Sequence, residues 1–531
     1  MSALRVVATD GISPEGLAPL REDGELEVRE HAKSEGAFHT DLAEARGLVL
    51  RSATRVTEAL LDEAPHLRVV GRAGVGVDNI DVEACTRRGV AVFNAPSGNT
   101  ISAAELAFAL MLASVRRIVA ADRSLRAGEW ARSRFKGNEL RGKVLGLVGA
   151  GRIGGEVARR ARAFGMSVLV SDPYLTRERV GELDAEAAEL EDLLARADVV
   201  TFHVPLTDST RNLLNAERLA LMKPTAHLVN TSRGGVVDEE ALARALADGR
   251  LAGAALDVYG LEPLQEDSPL RDAPNLILTP HLGASTEEAQ ERVATEVARS
   301  VRKALLEGDL AGALNAPSVG GRALAELGPL LDLGRRLGHI GVVLAPGAVR
   351  GVHVEYSGES PEALGVLPRH VLMGLLTPVL GVAQVNVVNA AVLAENRGIA
   401  VSSGRRPRRG APGERVLVTL DTSEGRLELD GGLLGEYHPR ILGLDGYDVN
   451  LAPEGTLLIL RNRDVPGVIG HVGTVLGRAG MNIAEYHQAR RSEGGEALAA
   501  VVLDGAVPDE VLATIRALPD VMDARVVRVR D

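Results

Sequence analysis

The chain has 531 residues, 45% of them hydrophobic, and a formal net charge of −12 at pH 7. That length predicts several domains with sizeable cores, and the acidic balance excludes a general nucleic-acid binder. A single cysteine, Cys85, excludes an intramolecular disulfide and suits a reducing cytoplasm.

The opening "MSALRVVATDGIS" runs straight into a strand pattern with no leader-like segment, which predicts a cytoplasmic protein. "LRVVATD", "GLVLRS", "LRVVGRAG" and "VAVFNAP" then read as short buried strands, parted by helical stretches such as "TEALLDEAP". Each strand ends in a polar or glycine loop, and ligands of open parallel sheets bind at such carboxyl ends. Ile101 to Val119 suits one long helix crossing to a second unit. There "KVLGLVG" reads as a strand, followed by glycines at 149, 151 and 154, a helix, and a second aliphatic run ending at Asp172. Gly149 permits a tight turn, Gly151 lets a pyrophosphate approach the backbone, and Gly154 lets the helix pack on the strand. The helix N-terminus offers free N–H groups and positive dipole to phosphates. Asp172 can bond a ribose 2′-OH and would repel a 2′-phosphate, which predicts NAD rather than NADP.

After Pro173 the strand–helix alternation continues. Arg233 lies in "NTSRGG", Glu262 in "DVYGLEP" and His281 in "LTPHLGAS", all after strand ends and so able to face one cleft. Oxidising a hydroxy acid needs a base, a cation for carboxylate and forming carbonyl, and a hydride acceptor. His281 suits the base, Glu262 can hold its imidazole, and Arg233 can clamp a carboxylate with its guanidinium fork. Beyond Ala284 a long helix leads to a Pro/Gly stretch near 312–321, the clearest boundary. Val371 to Ala394 carries no charge, but Thr377, Pro378, Gln384, Asn386 and Asn389 make it a buried amphipathic helix rather than a membrane span. The run Arg405–Arg409 could hold an anion, but reads sooner as a solvated basic loop. From Thr456 the order is βαββαβ, which is ferredoxin-like, and the tail from Pro453 reads as a unit whose removal leaves catalysis intact. No metal site is expected.

"GRAGVGVDNID", "VGAGRIG", "NTSRGGVVDEEAL", "AALDVYGLEP" and "TPHLGAST" together resemble the D-isomer-specific 2-hydroxyacid dehydrogenases, from about Leu4 to Asn315. The resemblance implies an α/β fold: a Rossmann-like nucleotide domain (98–284) inserted in a flavodoxin-like substrate domain (1–97 and 285–316). It makes Arg233, Glu262 and His281 catalytic. It places NAD contacts at Val75, Gly149, Gly151, Arg152, Ile153, Gly154, Asp172, Val204, Thr231, Ser232, Asp257, Gly283 and Ala284. "VLRSATRVT" and "NAPSGNTISAAELAFALML" look most like the branch that oxidises 3-phosphoglycerate for serine synthesis. Substrate contacts then fall on Arg51, Ser52, Arg72, Gly74, Asn99 and Arg132, the last in "GEWARSRF", a segment that in this family reaches a neighbouring subunit. By the same resemblance, residues 317–452 match an α+β intervening domain of the allosteric substrate-binding type. Residues 453–531 resemble the ACT regulatory module, with Asn462, Asp464 and Asn482 at the positions that contact L-serine between paired modules. The chain departs from the usual pattern there, with Asn462 where His is common and Asp464 where Asn is. A homotetramer or homodimer is implied, with no nucleic-acid or membrane partner. The competing readings are a glyoxylate or hydroxypyruvate reductase of the same family and a non-catalytic NAD-sensing corepressor.

Overall fold

A computed structural model describes residues 3–22, 24–407, 413–435 and 438–529. The first aliphatic runs form five parallel strands: β1 (Leu4–Ala8), β2 (Leu26–Glu30), β3 (Gly47–Leu50), β4 (Val69–Arg72) and β5 (Ala91–Phe93), in the order β2-β1-β3-β4-β5. β3 is buried along its whole length, as expected of a parallel strand covered on both faces. β2 is the edge strand and its second half is exposed.

Seven more parallel strands build the second sheet. They are β6 (Val144–Val148), β7 (Ser167–Ser171), β8 (Glu186–Ala187), β9 (Val199–Phe202), β10 (His227–Asn230), β11 (Gly253–Leu256) and β12 (Leu276–Leu278). Their order is β12-β11-β10-β9-β6-β7-β8. The order reverses at β6, so the crevice above β6 and β9 is where a ligand belongs.

The chain crosses between the sheets twice. The outward crossing enters the helix Thr100–Val115, and the return enters the helix Glu287–Glu307. The two crossings are joined: Ser97 Oγ donates to Glu296 Oε2 at 3.0 Å, and Arg292 Nε donates to Gly98 O at 3.1 Å. The single helix expected from Ile101 to Val119 is corrected here. Arg117 adopts φ 56°, which breaks the helix after Val115 and starts a second, Ile118–Arg126.

The third unit sets β13 (Val349–Ser357), β14 (Ala400–Arg405), β15 (Arg415–Thr422), β16 (Gly425–Leu434), β17 (His438–Leu444) and β18 (Tyr447–Leu451) in the order β14-β13-β15-β16-β17-β18. The helices Gly321–Leu344 and Ala363–Leu380 pack on each other and share its core. The helix expected across Val371–Ala394 is also corrected. It stops at Leu380, where Gly381 turns at φ 91°, and a short helix resumes at Ala390–Glu395. Ala363–Leu380 is long and apolar enough to cross a bilayer, yet half of that window is buried inside the protein and it contains Arg369 and His370. Arg408 and Arg409 of the basic run lie outside the described residues.

The tail forms β19 (Gly455–Arg463), β20 (Ile483–Arg490), β21 (Glu496–Leu503) and β22 (Val521–Val529), antiparallel in the order β20-β21-β19-β22. Leu458, Leu460, Val501 and Ala524 pack with Val468, Val472, Leu476 and Ile515 of the helices Val468–Arg478 and Asp509–Arg516. Leu457, Ile459, Leu498 and Val527 alternate with them to the other face of the sheet. They join one buried cluster with Leu337, Leu427 and Leu444 of the third unit. Cutting at Pro453 would therefore uncover the third unit's side of this shared core.

Candidate active site

The glycine turn after β6 forms as its residue types require. Gly149 takes φ 87°, a region that disfavours side chains. Gly151 precedes the helix Arg152–Ala163, and a methyl group added there would meet no atom within 4 Å. The cradle is open where a phosphate must approach, and the helix amides face it. Asp172, just past β7, accepts from Ala150 N and Tyr174 N, both at 2.9 Å. It fixes the turn and retains lone pairs for a ribose hydroxyl. Arg152 Nη1 donates to Pro96 O at 3.2 Å, tying this helix to the first crossing. His203, which follows β9, was missed by sequence reasoning. Its Nε2 lies 3.0 Å from Thr201 Oγ1, and burial pushes its pKa down to about 4, so the ring beside the turn is neutral.

His281 sits at φ 55°, and its amide donates to Asp257 O at 2.9 Å. Its Nδ1 is 2.7 Å from Glu262 Oε2, while Glu262 Oε1 accepts from Tyr259 N at 3.0 Å. Burial alone would raise the Glu262 pKa. The bonds from His281 and Tyr259 and the charges of His281 and Arg233 outweigh it, and the carboxyl is held below its ordinary range. A depressed carboxyl stabilises the fold above its unfolded pKa and loses that contribution as pH falls through the folded value. The stability gap between the wild type and Glu262→Gln should thus be present at neutral pH and close in acid, as read from urea midpoints at both.

Asp257 has no exposed surface. It accepts from Leu282 N at 2.8 Å, Gly283 N at 2.9 Å and Thr279 Oγ1 at 2.6 Å, so its carboxylate serves the loop that presents His281. Arg233 Nε lies 3.3 Å from Asp78 Oδ2 of the first unit, and Arg233 Nη1 donates to Ser232 O at 2.7 Å. Asn230 shapes that loop: it accepts from Ser232 N at 3.1 Å and donates to Arg233 O at 2.9 Å.

Opposite stands a cluster of cations. Burial and the charges of Arg233 and Arg51 lower the Arg72 pKa, against the pull of Asp78 and Asp10. Arg72 Nε donates to Asn79 Oδ1 at 2.8 Å, and Asn79 Nδ2 donates to Arg51 O at 2.8 Å and Thr54 O at 2.6 Å. Asp10 accepts from Arg51 N at 2.9 Å and Thr54 Oγ1 at 2.6 Å. Asp10, Asn79 and Asn230 were not singled out from sequence. Their one signal was place: Asp10 and Asn79 in the loops after β1 and β4, and Asn230 at the last position of β10.

Gly74, Val75, Ser52 and Val204 occupy the same strand-end loops, and Val75 O accepts from Asn94 Nδ2. Asn99 Oδ1, Ser102 Oγ and Thr231 Oγ1 are buried without a hydrogen-bond partner among the described residues, where the crossing helix starts and β10 ends. Such orphaned groups suit polar ligand atoms. The open glycine cradle, Asp172 and these three atoms fit a dinucleotide. Arg132 is not brought to the cleft: it lies in the exposed turn Arg132–Phe135, near Trp130, which is 85% exposed. Asn462 is wholly buried and its Oδ1 has no hydrogen-bond partner among the described residues. Asp464 is held by Arg490 at 2.9 Å, whose bond lowers its pKa. Asn482 donates to Asp504 at 2.7 Å, and the register of β19, β21 and β20 puts it at the opposite end of the sheet from Asn462.

The described family "D-isomer specific 2-hydroxyacid dehydrogenase, NAD binding domain" matches residues 108–283. "D-3-phosphoglycerate dehydrogenase intervening domain" matches 326–445, and "ACT domain" matches 456–520. D-3-phosphoglycerate dehydrogenase of Methanocaldococcus jannaschii is 42% identical over 529 residues, 99% of this chain and all of that one. The chain belongs to the D-3-phosphoglycerate dehydrogenase family. The Bacillus subtilis member is 38% identical across 98% of this chain and 99% of its own. Among solved structures, D-lactate dehydrogenase from Aquifex aeolicus, complexed with NAD and lactic acid, is 32% identical with TM-score 0.51, covering 57% of this chain and 96% of that one. The fold class, the NAD-binding unit and the ACT module expected from sequence are thereby found.

Proposed function

We propose that the chain oxidises D-3-phosphoglycerate to 3-phosphohydroxypyruvate with NAD, the first step of L-serine synthesis, in the cytoplasm. The observation that supports it most is the chain of charges in which Arg51 and Arg233 both act on Arg72, and Arg233 also acts on Glu262 of the His281–Glu262 pair. His281 accepts the hydroxyl proton at Nε2, since Nδ1 is turned to Glu262. Glu262 stabilises the imidazolium that results. Arg233 aligns the carboxylate and polarises the forming carbonyl oxygen, and Arg51 and Arg72 hold the phosphate. When bound, NAD accepts the hydride from C2. Asp257 and Asn230 are positioning residues for the loops of His281 and Arg233. Formation of NADH should favour 3-phosphoglycerate over glycerate by at least about 100-fold in kcat/KM, the scale of losing charged hydrogen bonds. Equal rates with glycerate, lactate or 2-hydroxyglutarate would overturn the assignment.

Asp172→Ala should weaken NAD and relax the exclusion of NADP, through the loss of about 1.5–3 kcal/mol of charged hydrogen bonding. An unaltered NAD/NADP preference would remove Asp172 from the ribose site.

The ACT unit supports feedback by L-serine. Asn462 and Asp464 stand apart from Asn482 within one chain, so these residues would share a ligand only across paired modules of a homotetramer or homodimer. Coupling of about 1–3 kcal/mol suffices to inhibit. Millimolar serine should lower activity, and Asn482→Ala should abolish that effect with catalysis retained. Full activity in excess serine, with no heat of binding, would leave the unit structural.

A further inference from the structure

Glu262 lies in the turn after β11, and a second carboxylate grips that turn. Beyond Arg233 on the same stretch of chain, the helix Glu239–Ala247 begins, with Asp238 as its N-cap accepting from Ala241 N at 2.9 Å. The cap is therefore made without the first helical residue. Glu239 turns elsewhere: its Oε1 accepts from Gly260 N at 2.5 Å, across 21 positions of chain. The neighbouring amide, Tyr259 N, donates to Glu262 Oε1 at 3.0 Å. Two successive amides of one turn are thus each held by a carboxylate.

We propose that Glu239 is a positioning residue for the oxidation, which holds Gly260 N and so fixes the turn in which Glu262 meets His281. The inference rests on Glu262 being the partner of His281. Helix chemistry alone does not call for Glu239 in this place. An acid near a helix N-terminus is favoured by the dipole, but Glu240 supplies one in solvent, where it pairs with Arg244 at 3.3 Å. Glu239 is half-buried and has no cation partner among the described residues. Burial and the charges of Glu262 and Asp238 raise its pKa, and the bond from Gly260 N opposes them. Such a placement costs stability, and what it returns is the hold on the turn.

The other supports of the turn act on Tyr259. Its hydroxyl donates to Leu256 O at 3.2 Å and Thr279 O at 2.8 Å, and Gly234 leaves no room between its own backbone and Tyr259 O. Without Glu239 these remain, but the segment between Tyr259 and Glu262 loses its own anchor. The Glu262 carboxylate, 2.7 Å from His281 Nδ1, then loses its fixed aim. Because Glu239 opens the helix that follows the Arg233 loop, the same bond ties the segment of the cation to the turn of the acid.

The test is a double-mutant cycle in the full chain at saturating NAD, with the hydroxy acid that the wild type oxidises fastest. Glu239→Asp keeps a charge at the helix start but is one methylene too short for Gly260 N. It should lower kcat at least about 10-fold, part of the loss that a displacement of about 1 Å brings. Glu239→Gln keeps an oxygen at full reach and should stay within about 2-fold of the wild type. In the Glu262→Ala background neither change should move kcat by more than about 2-fold, the scatter of uncoupled sites, since no carboxylate is left to aim. Equal losses for Glu239→Asp in both backgrounds would overturn the inference, as would a Glu239→Asp enzyme as fast as the wild type or a Glu239→Gln enzyme as slow as Glu239→Asp. The cycle reads the same whichever acid proves to be the substrate. A Glu262→Ala enzyme as fast as the wild type would overturn the pairing with His281, and this inference with it.

Discussion

Replacing His281 with alanine is expected to lower kcat for 3-phosphoglycerate oxidation by at least about 100-fold, the usual scale for a lost general base. The loop should survive the change, because it is held by the His281 amide on Asp257 O and by the Asp257 carboxylate on Leu282 N and Gly283 N, none of which involves the imidazole. NAD affinity should therefore change little, and the loss should appear in kcat. Glu262→Gln should act differently. It keeps a partner for Nδ1 but removes the charge that favours the imidazolium, so the pH dependence of kcat/KM should shift to lower pH. The sign follows from charge: without the carboxylate the imidazolium loses its stabilising neighbour, and the neutral base is present from a lower pH. The acid limb should thus move down. An unmoved limb, or His281→Ala activity close to wild type, would separate this pair from the chemistry.

Gly234→Ala is expected to cost about as much by another route. A methyl group at Gly234 would lie 1.8 Å from Tyr259 O and 2.0 Å from Tyr259 C. Both are backbone atoms, so neither can step aside as a side-chain tip would. Either the loop carrying Arg233 or the turn carrying Glu262 must move. Overpacking of this kind costs about 1–3 kcal/mol of stability. A displacement of about 1 Å at the reacting groups costs about 100-fold in rate. Urea midpoints and kcat/KM should fall together. Gly151→Ala is the contrast, because its added methyl meets no protein atom within 4 Å. Stability should hold there while NAD binding weakens. Unchanged kcat/KM in Gly234→Ala would mean that Arg233 and Glu262 need not keep their mutual placement.

The strands were legible where aliphatic residues run together, as in "LRVVA" and "VLGLV", because a parallel strand is covered on both faces. β2, "LEVRE", escaped notice: as an exposed edge it has few apolar residues to show. The helix break at Arg117 was illegible because a non-glycine residue takes φ 56° with no Gly or Pro to announce it. Of the site, His281, Glu262, Arg233 and Asp172 could be read because each sits in a distinctive motif at a strand end. Asp10 and Asn79 could not. Their work is to bond loops up to 44 residues away, and nothing local in the sequence reports such partners. The same holds for the tail, where β19 alternates apolar residues toward both faces. That pattern shows a strand packed on both sides, without telling which unit covers the second.

The joined crossings have a mechanical consequence. Two lobes connected by one strand can swing and twist in any direction, whereas two strands fastened side by side act as an axle. Ser97 with Glu296, and Arg292 with Gly98 O, fasten them here. Rotation about that axle carries the guanidinium groups of Arg51 and Arg72 toward or away from His281, and motion along any other direction must first pull these bonds apart. Swinging of the first lobe on the second is thereby confined to a single arc, along which Arg51 and Arg72 keep one bearing on His281.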